Sequence, residues 1–322
     1  MTTPNLRKRS VRFIGGMALT AALLAPNLVS AADITFKAPQ AFPESITWSG
    51  RQHVFMVGSV RYGTVGKITP DGHYKEFIHD DRLISTLGLF VDDRRNTLWV
   101  TNSDPGIGGH TNAGTKGKLA AIATYDATTG QPRAYYDLSS INRGAHLAND
   151  LALDADGNVY VTDSFAPIVY RVDTHGQMSV WAHDPRFMTG DGFNLNGIAM
   201  HPDGYLIVGN YNSGVLFKID THDPSKIEQI TLPEALKGAD GFDLVDLQHL
   251  IVVQNQGIDR IVELVSTDGW RTATIGRVQK SEHSMPTAAV TRNGKVYVLN
   301  SRIDTLFKPG SPKIDQFVLQ QF

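Results

Sequence analysis

The stretch that decides the fold is residues 149–163, with the sequence NDLALDADGNVYVTD. It contains a short apolar segment, an Asp-Gly turn, and a second segment rich in β-branched and aromatic residues that ends in polar residues. Asp-Gly between two such segments is a strong local indicator of a β-hairpin. This stretch therefore predicts two antiparallel strands joined by a tight turn.

The same pattern recurs along the chain, clearly at 196–210 (NGIAMHPDGYLIVGN) and 286–300 (PTAAVTRNGKVYVLN), and more weakly from Glu44, Leu87 and Asp240. Each copy is followed by a third strand and an outer fourth segment, such as 168–172 and 178–181. Four-stranded units repeating about every 45 residues are typical of propeller blades. The sequence predicts an all-β fold, a six-bladed β-propeller with four-stranded antiparallel blades, as one domain over residues 32–322.

Two segments fall outside this repeat. The Gly-rich insertion Pro105–Gly117 lengthens one interval and is predicted to form a loop over one face. Residues 33–37 are short and β-forming, and we expect them to add a strand that helps to close the ring, with no partner assigned.

The first 31 residues have the pattern of a bacterial secretory signal peptide. A basic segment at 7–12 precedes an apolar run at 13–24, which is short for a membrane span, and small residues lead to a cleavage position near Ala31. The mature protein is therefore expected to be periplasmic or secreted. An uncleaved anchor is the alternative.

Composition excludes several classes of function. The net charge of −2 provides no basic face, so neither nucleic acid nor a membrane is expected as a partner of the mature protein. The absence of cysteine excludes thiolate catalysis and cysteine-bound zinc. No Gly-x-Ser-x-Gly motif supports a serine hydrolase, and no nucleotide cofactor is implied. A small-molecule substrate is the expected partner.

Candidate metal ligands come from aligning the units, because the innermost strand of every blade lines the central axis. The first positions are Glu44, Leu87, Asn149, Asn196, Asp240 and Pro286. The two carboxylates and two amides among them form an oxygen-only donor set, which suits calcium. We predict one divalent cation, most simply Ca²⁺, with Mn²⁺, Mg²⁺ and Zn²⁺ as alternatives. Asn and Asp also cap turns at strand starts, but four donors in one register, Glu among them, fit that explanation less well.

Candidate catalytic residues follow from the same alignment. Asp240 could act as nucleophile or general base, or as a ligand only. His146 and His283 each lie three residues before an aligned position and could shuttle protons at the tunnel mouth, although loop histidines are often simply solvated. The second strands end in another mostly polar set, which we expect to bond blade backbones: Gly58, Asn102, Asp163, Asn210, Gln254 and Asn300.

The aligned motifs, Glu44-Ser45-Ile46, Asn149-Asp150, Asn196-Gly197 and Asp240-Gly241, resemble those of the senescence-marker-protein/gluconolactonase family of six-bladed propellers. The layout is also similar to that of calcium-dependent diisopropyl fluorophosphatases and, more distantly, paraoxonases. The resemblance implies a divalent metal held by Glu44, Asn196 and Asp240, with Asn149 contacting metal or substrate, and hydrolysis of lactones or related esters.

Two positions depart from that family. The usual Glu-Gly-Pro or Glu-Ser-Pro is Glu44-Ser45-Ile46, and the substrate-positioning Arg of some sugar lactonases is Leu147, which argues against sugar acids. The hypothesis is a metal-dependent hydrolase of small lactones or esters. Its alternatives are a phosphotriester or fluorophosphate hydrolase, and a non-catalytic propeller with a structural metal. Phe187, Phe193 and Tyr211 are candidates for pocket walls or for blade packing.

Overall fold

The structure is a computed structural model that describes residues 1–2, 33–306, 308 and 310–322. The signal-peptide prediction falls almost wholly on residues outside these ranges, including Ala31. Among the described residues, no helix has the length and apolar character needed to cross a bilayer.

Almost all regular structure is β-strand, as the alternating sequence pattern predicts. In chain order the strands are β1 Ile34–Lys37, β2 Ile46–Ser49, β3 Val54–Gly58, β4 Val65–Ile68, β5 Tyr74–Ile78, β6 Ser85–Asp92, β7 Thr97–Ser103, β8 Ala120–Asp126, β9 Pro132–Asp137, β10 Ala148–Leu153, β11 Val159–Asp163, β12 Ile168–Val172, β13 Met178–His183, β14 Leu195–His201, β15 Tyr205–Asn210, β16 Leu216–Asp220, β17 Ile227–Gln229, β18 Ala239–Leu244, β19 His249–Gln254, β20 Arg260–Val265, β21 Thr274–Lys280, β22 Pro286–Arg292, β23 Lys295–Asn300 and β24 Gln316–Gln321. Within the described ranges, three short 3₁₀ helices span Leu138–Ser140, Pro185–Phe187 and Ile303–Thr305.

These strands form six four-stranded antiparallel sheets, which confirms the predicted propeller. Blades 1 to 5 are β2–β5, β6–β9, β10–β13, β14–β17 and β18–β21, each in sequence order. The first strand of each blade contacts the first strand of the next, and β2 contacts β22 of blade 6. The six first strands therefore surround a shared axis.

Blade 6 joins the two ends of the described chain. It has the order β22-β23-β24-β1, with Ile34 opposite Leu319 and Lys37 opposite Gln316. This confirms the predicted extra strand and supplies its partner. Phe36 packs on Phe317 across the pair, with ring centroids 5.7 Å apart. Such a shared blade fastens the ring, because opening it would expose the edges of β1 and β24.

The core lies between neighbouring blades, where the apolar face of one sheet packs on the next. Between blades 3 and 4, for example, Tyr160, Val169, Leu206 and Phe217 are buried in one cluster. A fully buried side chain of this size contributes about 2 kcal/mol. Stacking in a ring buries both faces of every sheet, which a lone blade cannot do.

The innermost strands carry an irregularity where the aligned positions lie. The pairing register shifts between Ala148 and Leu151 in β10, and in the same way around Asn196 and Asp240. Equivalent shifts occur in β6 and β22. A β-bulge turns side chains away from the regular alternation and is common beside functional sites. These bulges direct the aligned side chains into the axial opening.

Candidate functional site

The four predicted oxygen donors come together at one end of the axis. Glu44, Asn149, Asn196 and Asp240 all line a cavity of about 260 Å³. Asn149, Asn196 and Asp240 are buried and Glu44 is partly exposed. Residues far apart in sequence thus become neighbours, as the blade alignment predicted.

The sixth aligned position needs correction. The bulge in β22 lies between Pro286 and Ala288, so the residue equivalent to the other site positions is Thr287 and not Pro286. Thr287 lines the cavity, and so does Leu87 from blade 2. The same one-residue bulge occurs in blades 3 to 5, so the offset arises in the hairpin turn. Four residues separate the paired Thr291 and Val296, whereas five separate the equivalent Leu153 and Val159.

Glycines after the site positions allow the blades to approach closely. A Cβ added at Gly197 would lie 2.1 Å from the carbonyl oxygen of Asp240, and one at Gly241 would lie 2.6 Å from that of Thr287. Any larger residue would push the neighbouring first strand away. The Asn-Gly and Asp-Gly pairs in the sequence therefore bring the donors of adjacent blades together.

Threonine hydroxyls fix the backbone beneath three of the donors. In each case a threonine from the preceding blade donates to the carbonyl oxygen of the site residue. The pairs are Thr101 with Asn149 (2.8 Å), Thr162 with Asn196 (2.6 Å) and Thr287 with Glu44 (2.6 Å). These bonds between blades set the height of each donor along the axis.

Asn149 has an orphaned acceptor. Its Nδ2 donates to Ser164 Oγ at 2.9 Å, which fixes the orientation of the amide. Its Oδ1 is buried and has no hydrogen-bond partner among the described residues. A buried carbonyl oxygen without a partner costs about 1–3 kcal/mol. A ligand in the cavity that attracts oxygen, such as a cation, would remove this cost.

Asp240 is held by an amide that sequence reasoning missed. Asn255 Nδ2 donates to Asp240 Oδ2 and to the carbonyl oxygen of Pro286, while Asn255 Oδ1 accepts from the Tyr211 hydroxyl at 2.5 Å. A flipped Asn255 amide would face two acceptors with its oxygen, so the three partners allow one orientation only. Asn255 therefore positions the Asp240 carboxylate.

Three carboxyl groups at the site have a raised pKa, in each case mainly because of burial. Burial, together with the charges of Asp240 and Asp150, raises the pKa of Glu44 well above its usual range. Burial also raises the pKa of Asp240, against hydrogen bonds from Asn255 and Asn196. Asp150 lines the channel that continues along the axis, and burial raises its pKa to about 7. A cation bound beside these acids would favour their charged forms and lower their pKa values.

The donors present fit a hard divalent cation. Glu44 and Asp240 would supply the charge, and Asn149 and Asn196 would supply neutral amide oxygens. Within the described part of the chain, no three His, Cys, Asp or Glu side chains are grouped for metal binding. A cation here would therefore depend on the amides, as the sequence predicted, and zinc would find none of the histidine it favours.

His146 does not lie at the tunnel mouth, contrary to expectation. It is 2% exposed and is not among the described residues that line the cavity. Its Nδ1 lies 2.8 Å from Asp163 Oδ2, and its Nε2 lies 3.1 Å from the carbonyl oxygen of Asn142. The bond to Asp163 raises the pKa of His146. Because both ring nitrogens are engaged within blade 3, the His146 ring stabilises the fold of that blade.

His283 is also outside the cavity lining. It is exposed and borders a separate pocket of about 210 Å³ with Asn300, Arg302 and Phe317. The residues two and four positions later, Met285 and Thr287, line the axial cavity instead. The sequence predicts His283 at the tunnel mouth because it lies three residues before Pro286. The true site position is Thr287, so His283 lies one residue further from the site than expected.

The polar ends of the second strands bond blade backbones, as expected. Asn102, Asn210 and Gln254 each donate to a carbonyl oxygen in the segment that leads into the first strand of their own blade: Arg82 (2.9 Å), Phe187 (2.7 Å) and Lys237 (2.7 Å). In blades 3 and 5 the residue that follows the strand end bonds a site donor. Ser164, after Asp163, bonds Asn149, and Asn255, after Gln254, bonds Asp240. A sequence search one position later would have found them.

Part of the cavity lining comes from loops between the strands. Phe193 and Tyr211 line it, whereas Phe187 is fully buried against Phe217, with ring centroids 5.2 Å apart. The insertion Pro105–Gly117 contributes Pro105 and Ile107. The buried Asp104 holds this insertion by accepting from four donors: Gly106 N (2.8 Å), Thr111 Oγ1 (2.8 Å), Asn112 N (3.2 Å) and Thr115 Oγ1 (2.7 Å).

No protein-family model matches the chain, and no curated protein matches it. Solved structures do. The major allergen Mala s 1 of Malassezia sympodialis superposes with a TM-score of 0.73 at 16% identity, covering 90% of this chain and 95% of the allergen.

Two further matches have a TM-score near 0.6. A luciferin-regenerating enzyme matches at 0.61 and 14% identity, covering 90% of this chain and 96% of its own. A structural-genomics protein provisionally assigned as a gluconolactonase matches at 0.60 and 12% identity, covering 90% and 92%. At such low identity these likenesses show a shared six-bladed propeller fold, and the function rests on the site itself.

Proposed function

We propose that this protein is a metal-dependent hydrolase of small lactones or esters, acting at the axial cavity. The observation that carries the proposal is the buried, unpartnered Oδ1 of Asn149, a residue that lines the cavity together with two carboxylates and a second amide. Fixed donors around an open cavity are what metal-assisted hydrolysis requires. The fold shared with a protein provisionally assigned as a gluconolactonase supports the same reaction class.

In this proposal Glu44, Asn149, Asn196 and Asp240 would hold one divalent cation, with calcium favoured by the oxygen-only set. A bound cation of this kind polarises an ester carbonyl and lowers the pKa of bound water. The rest depends on residues of this chain. Asn255 keeps the Asp240 carboxylate aimed into the cavity, where it can accept a proton from water or attack as a nucleophile.

Removal of metal tests the proposal directly. The purified protein would be treated with chelator and assayed against lactones, aryl esters and phosphotriesters, before and after Ca²⁺, Mn²⁺, Mg²⁺ or Zn²⁺ is restored. We expect hydrolysis of a lactone or ester to fall at least 10²-fold with chelator and to return with calcium. Thermal unfolding in the same samples reports metal binding independently of turnover.

Each other result identifies a different function. Restored turnover of phosphotriesters but not of lactones would assign the site to phosphotriester hydrolysis. Stabilisation by calcium without turnover of any substrate would identify a binding propeller with a structural metal. Turnover that chelator leaves unchanged would rule out the metal-dependent mechanism. Export to the periplasm or medium forms part of the proposal, and mass spectrometry of the secreted chain would test cleavage near Ala31.

A further inference from the structure

The cavity is divided into a polar floor and an apolar wall. The floor consists of the four oxygen donors from the first strands. The wall comes from apolar side chains, of which Leu87 belongs to a first strand and the others to segments between the strands: Val60, Leu87, Ile107, Phe193, Met285 and Ile303. A ligand that reaches the floor must therefore place its remaining surface against hydrocarbon.

Charge at the cavity disfavours ionic ligands. Two acids and no Lys, Arg or His occur among the described residues that line it. A divalent cation would balance Glu44 and Asp240 and leave the lining neutral. An anionic ligand would then lose its hydration without meeting a basic side chain, which is costly.

The hydroxyl groups of the lining are already engaged. Tyr211 donates to Asn255, and Thr287 donates to the carbonyl oxygen of Glu44. Gln256 is the other polar side chain of the lining, and it is exposed to solvent. A ligand with several hydroxyl groups would leave most of them without partners, and sites discriminate strongly against unpaired polar groups.

Contacts within the protein hold the wall in place. Phe193 packs on Phe165 and Tyr211, with ring centroids 5.6 and 6.1 Å away. Asp104 fixes the insertion that carries Ile107. An apolar cavity of about 150 Å³ holds benzene, so by proportion about 260 Å³ accommodates a ligand of on the order of ten non-hydrogen atoms.

We infer that the ligand of this cavity is an uncharged lactone or ester with an apolar substituent, and that sugar lactones and carboxylate-bearing esters are excluded. The inference rests on the proposed function in that the group placed on the floor is a carbonyl. Leu147, which stands where some sugar lactonases carry an arginine, is fully buried and adds no charge to the lining.

Matched substrates test the inference. The calcium-loaded protein would be assayed with γ-octalactone, γ-butyrolactone, glucono-δ-lactone and a γ-lactone that carries a terminal carboxylate on a chain of similar length. We expect kcat/KM for γ-octalactone to exceed that for γ-butyrolactone by about 10²-fold, because the four carbon atoms of its butyl group are buried. Glucono-δ-lactone and the carboxylate-bearing lactone should fall below γ-butyrolactone.

Variants locate the effect on the wall. Phe193→Ser and Ile107→Ser should each lower the ratio of kcat/KM between γ-octalactone and γ-butyrolactone by about tenfold. Val180→Ser, on the exposed outer strand of blade 3, is the matched control and should leave the ratio unchanged. Unchanged ratios in both wall variants would overturn the assignment of the wall.

A binding experiment separates this inference from the proposed hydrolysis. 2-Butylcyclopentanone presents a carbonyl and a tail but cannot be hydrolysed, and calorimetry would compare it with cyclopentanone. Tighter binding of the butyl compound without turnover of any lactone supports the ligand class while the hydrolase proposal fails. Equal binding of the two ketones, preference for glucono-δ-lactone, or tighter binding of an alkylammonium ion would overturn the inference.

Discussion

Two buried aspartates illustrate different uses of the same side chain. Asp163 in blade 3 accepts from His146, from the Tyr170 hydroxyl and from the three backbone N–H groups of Leu147, Phe165 and Ala166. Asp240 in blade 5 is bonded by the amides of Asn255 and Asn196 and faces the cavity. Asp163 is surrounded by donors, including the His146 ring, whereas Asp240 has a raised pKa and acidic neighbours.

The comparison teaches how to recognise a working acid among structural ones. A carboxylate whose acceptor sites are filled stabilises the chain segments that donate to it. A carboxylate held from one side and left facing a cavity is free to bind a ligand or a proton. Sequence position alone does not separate the two, since Asp163 ends a second strand and Asp240 lies near the start of a first strand, at paired ends of their blades.

Replacing Asp240 should have the largest effect on activity. Asp240→Asn removes the negative charge and the base while preserving size, so we expect lactone hydrolysis to fall by about 10³-fold. Stability in chelator should be unchanged or higher, because repulsion with Glu44 is relieved. Initial rates and urea unfolding measure both. Asp243→Asn, further along the same strand, is the control. Near-normal activity in Asp240→Asn would remove Asp240 from the mechanism.

Replacing Asp163 should lower stability and leave activity per folded molecule almost unchanged. Asp163→Ala leaves the buried His146 ring, the Tyr170 hydroxyl and several N–H groups without their acceptor, so the free energy of unfolding should fall by about 3–5 kcal/mol. Activity per folded molecule should change little. Urea titration followed by tryptophan fluorescence, with active-site concentration measured in parallel, checks this. A stable but inactive variant would contradict the structural role, and Asp163→Asn provides a milder test if Asp163→Ala does not fold.

Removing the amide behind Asp240 should have a smaller effect than removing Asp240 itself. Asn255→Leu takes away the group that orients the carboxylate, and loss of such a supporting partner typically costs 10–100-fold in metal affinity. Calorimetric titration of calcium measures this loss. Tyr211→Phe keeps the wall and removes the hydroxyl, so a weaker effect of the same kind is expected. Unaltered affinity in Asn255→Leu would leave Asn255 with a packing role only.

The smallest effect concerns pH. The bond to Asp163 raises the pKa of His146 in the folded state, so its stabilisation is complete below the unfolded pKa of about 6.5 and is lost as pH rises through the higher folded value. His146→Gln should therefore cost about 1 kcal/mol at pH 6 and less at pH 9. Unfolding at both pH values tests the sign. A cost that grows with pH would show that the neutral ring is the stabilising form.

Local patterns were sufficient for the architecture. Strands, hairpin turns and the repeat depend on residues close in sequence, such as Asp156-Gly157 and the alternation around it, so the six blades followed from the chain alone. The donor set also followed, because the repeat places equivalent strand starts on one axis. The extra strand at residues 34–37 was expected, but its pairing with β24 spans nearly the whole chain and no local pattern encodes it.

Turn length and long-range contacts produced the errors. The hairpin turn of blade 6 is one residue shorter than that of blade 3, which moves the sixth site position from Pro286 to Thr287. The position of His146, three residues before Asn149, predicts a place at the tunnel mouth. Its side chain instead bonds Asp163 on the paired strand and is buried in the blade. Asn255 lies one residue beyond the position that the alignment favoured.

The sequence by itself determined the fold class, the number of blades and the four oxygen donors, because these follow from hydrophobic alternation, turn residues and the repeat. Only the tertiary structure decided which buried acid is filled with donors and which faces the cavity, and what forms the wall. Those outcomes depend on how side chains from different blades meet, through bulges, glycine contacts and hydrogen bonds that the spacing of residues does not specify.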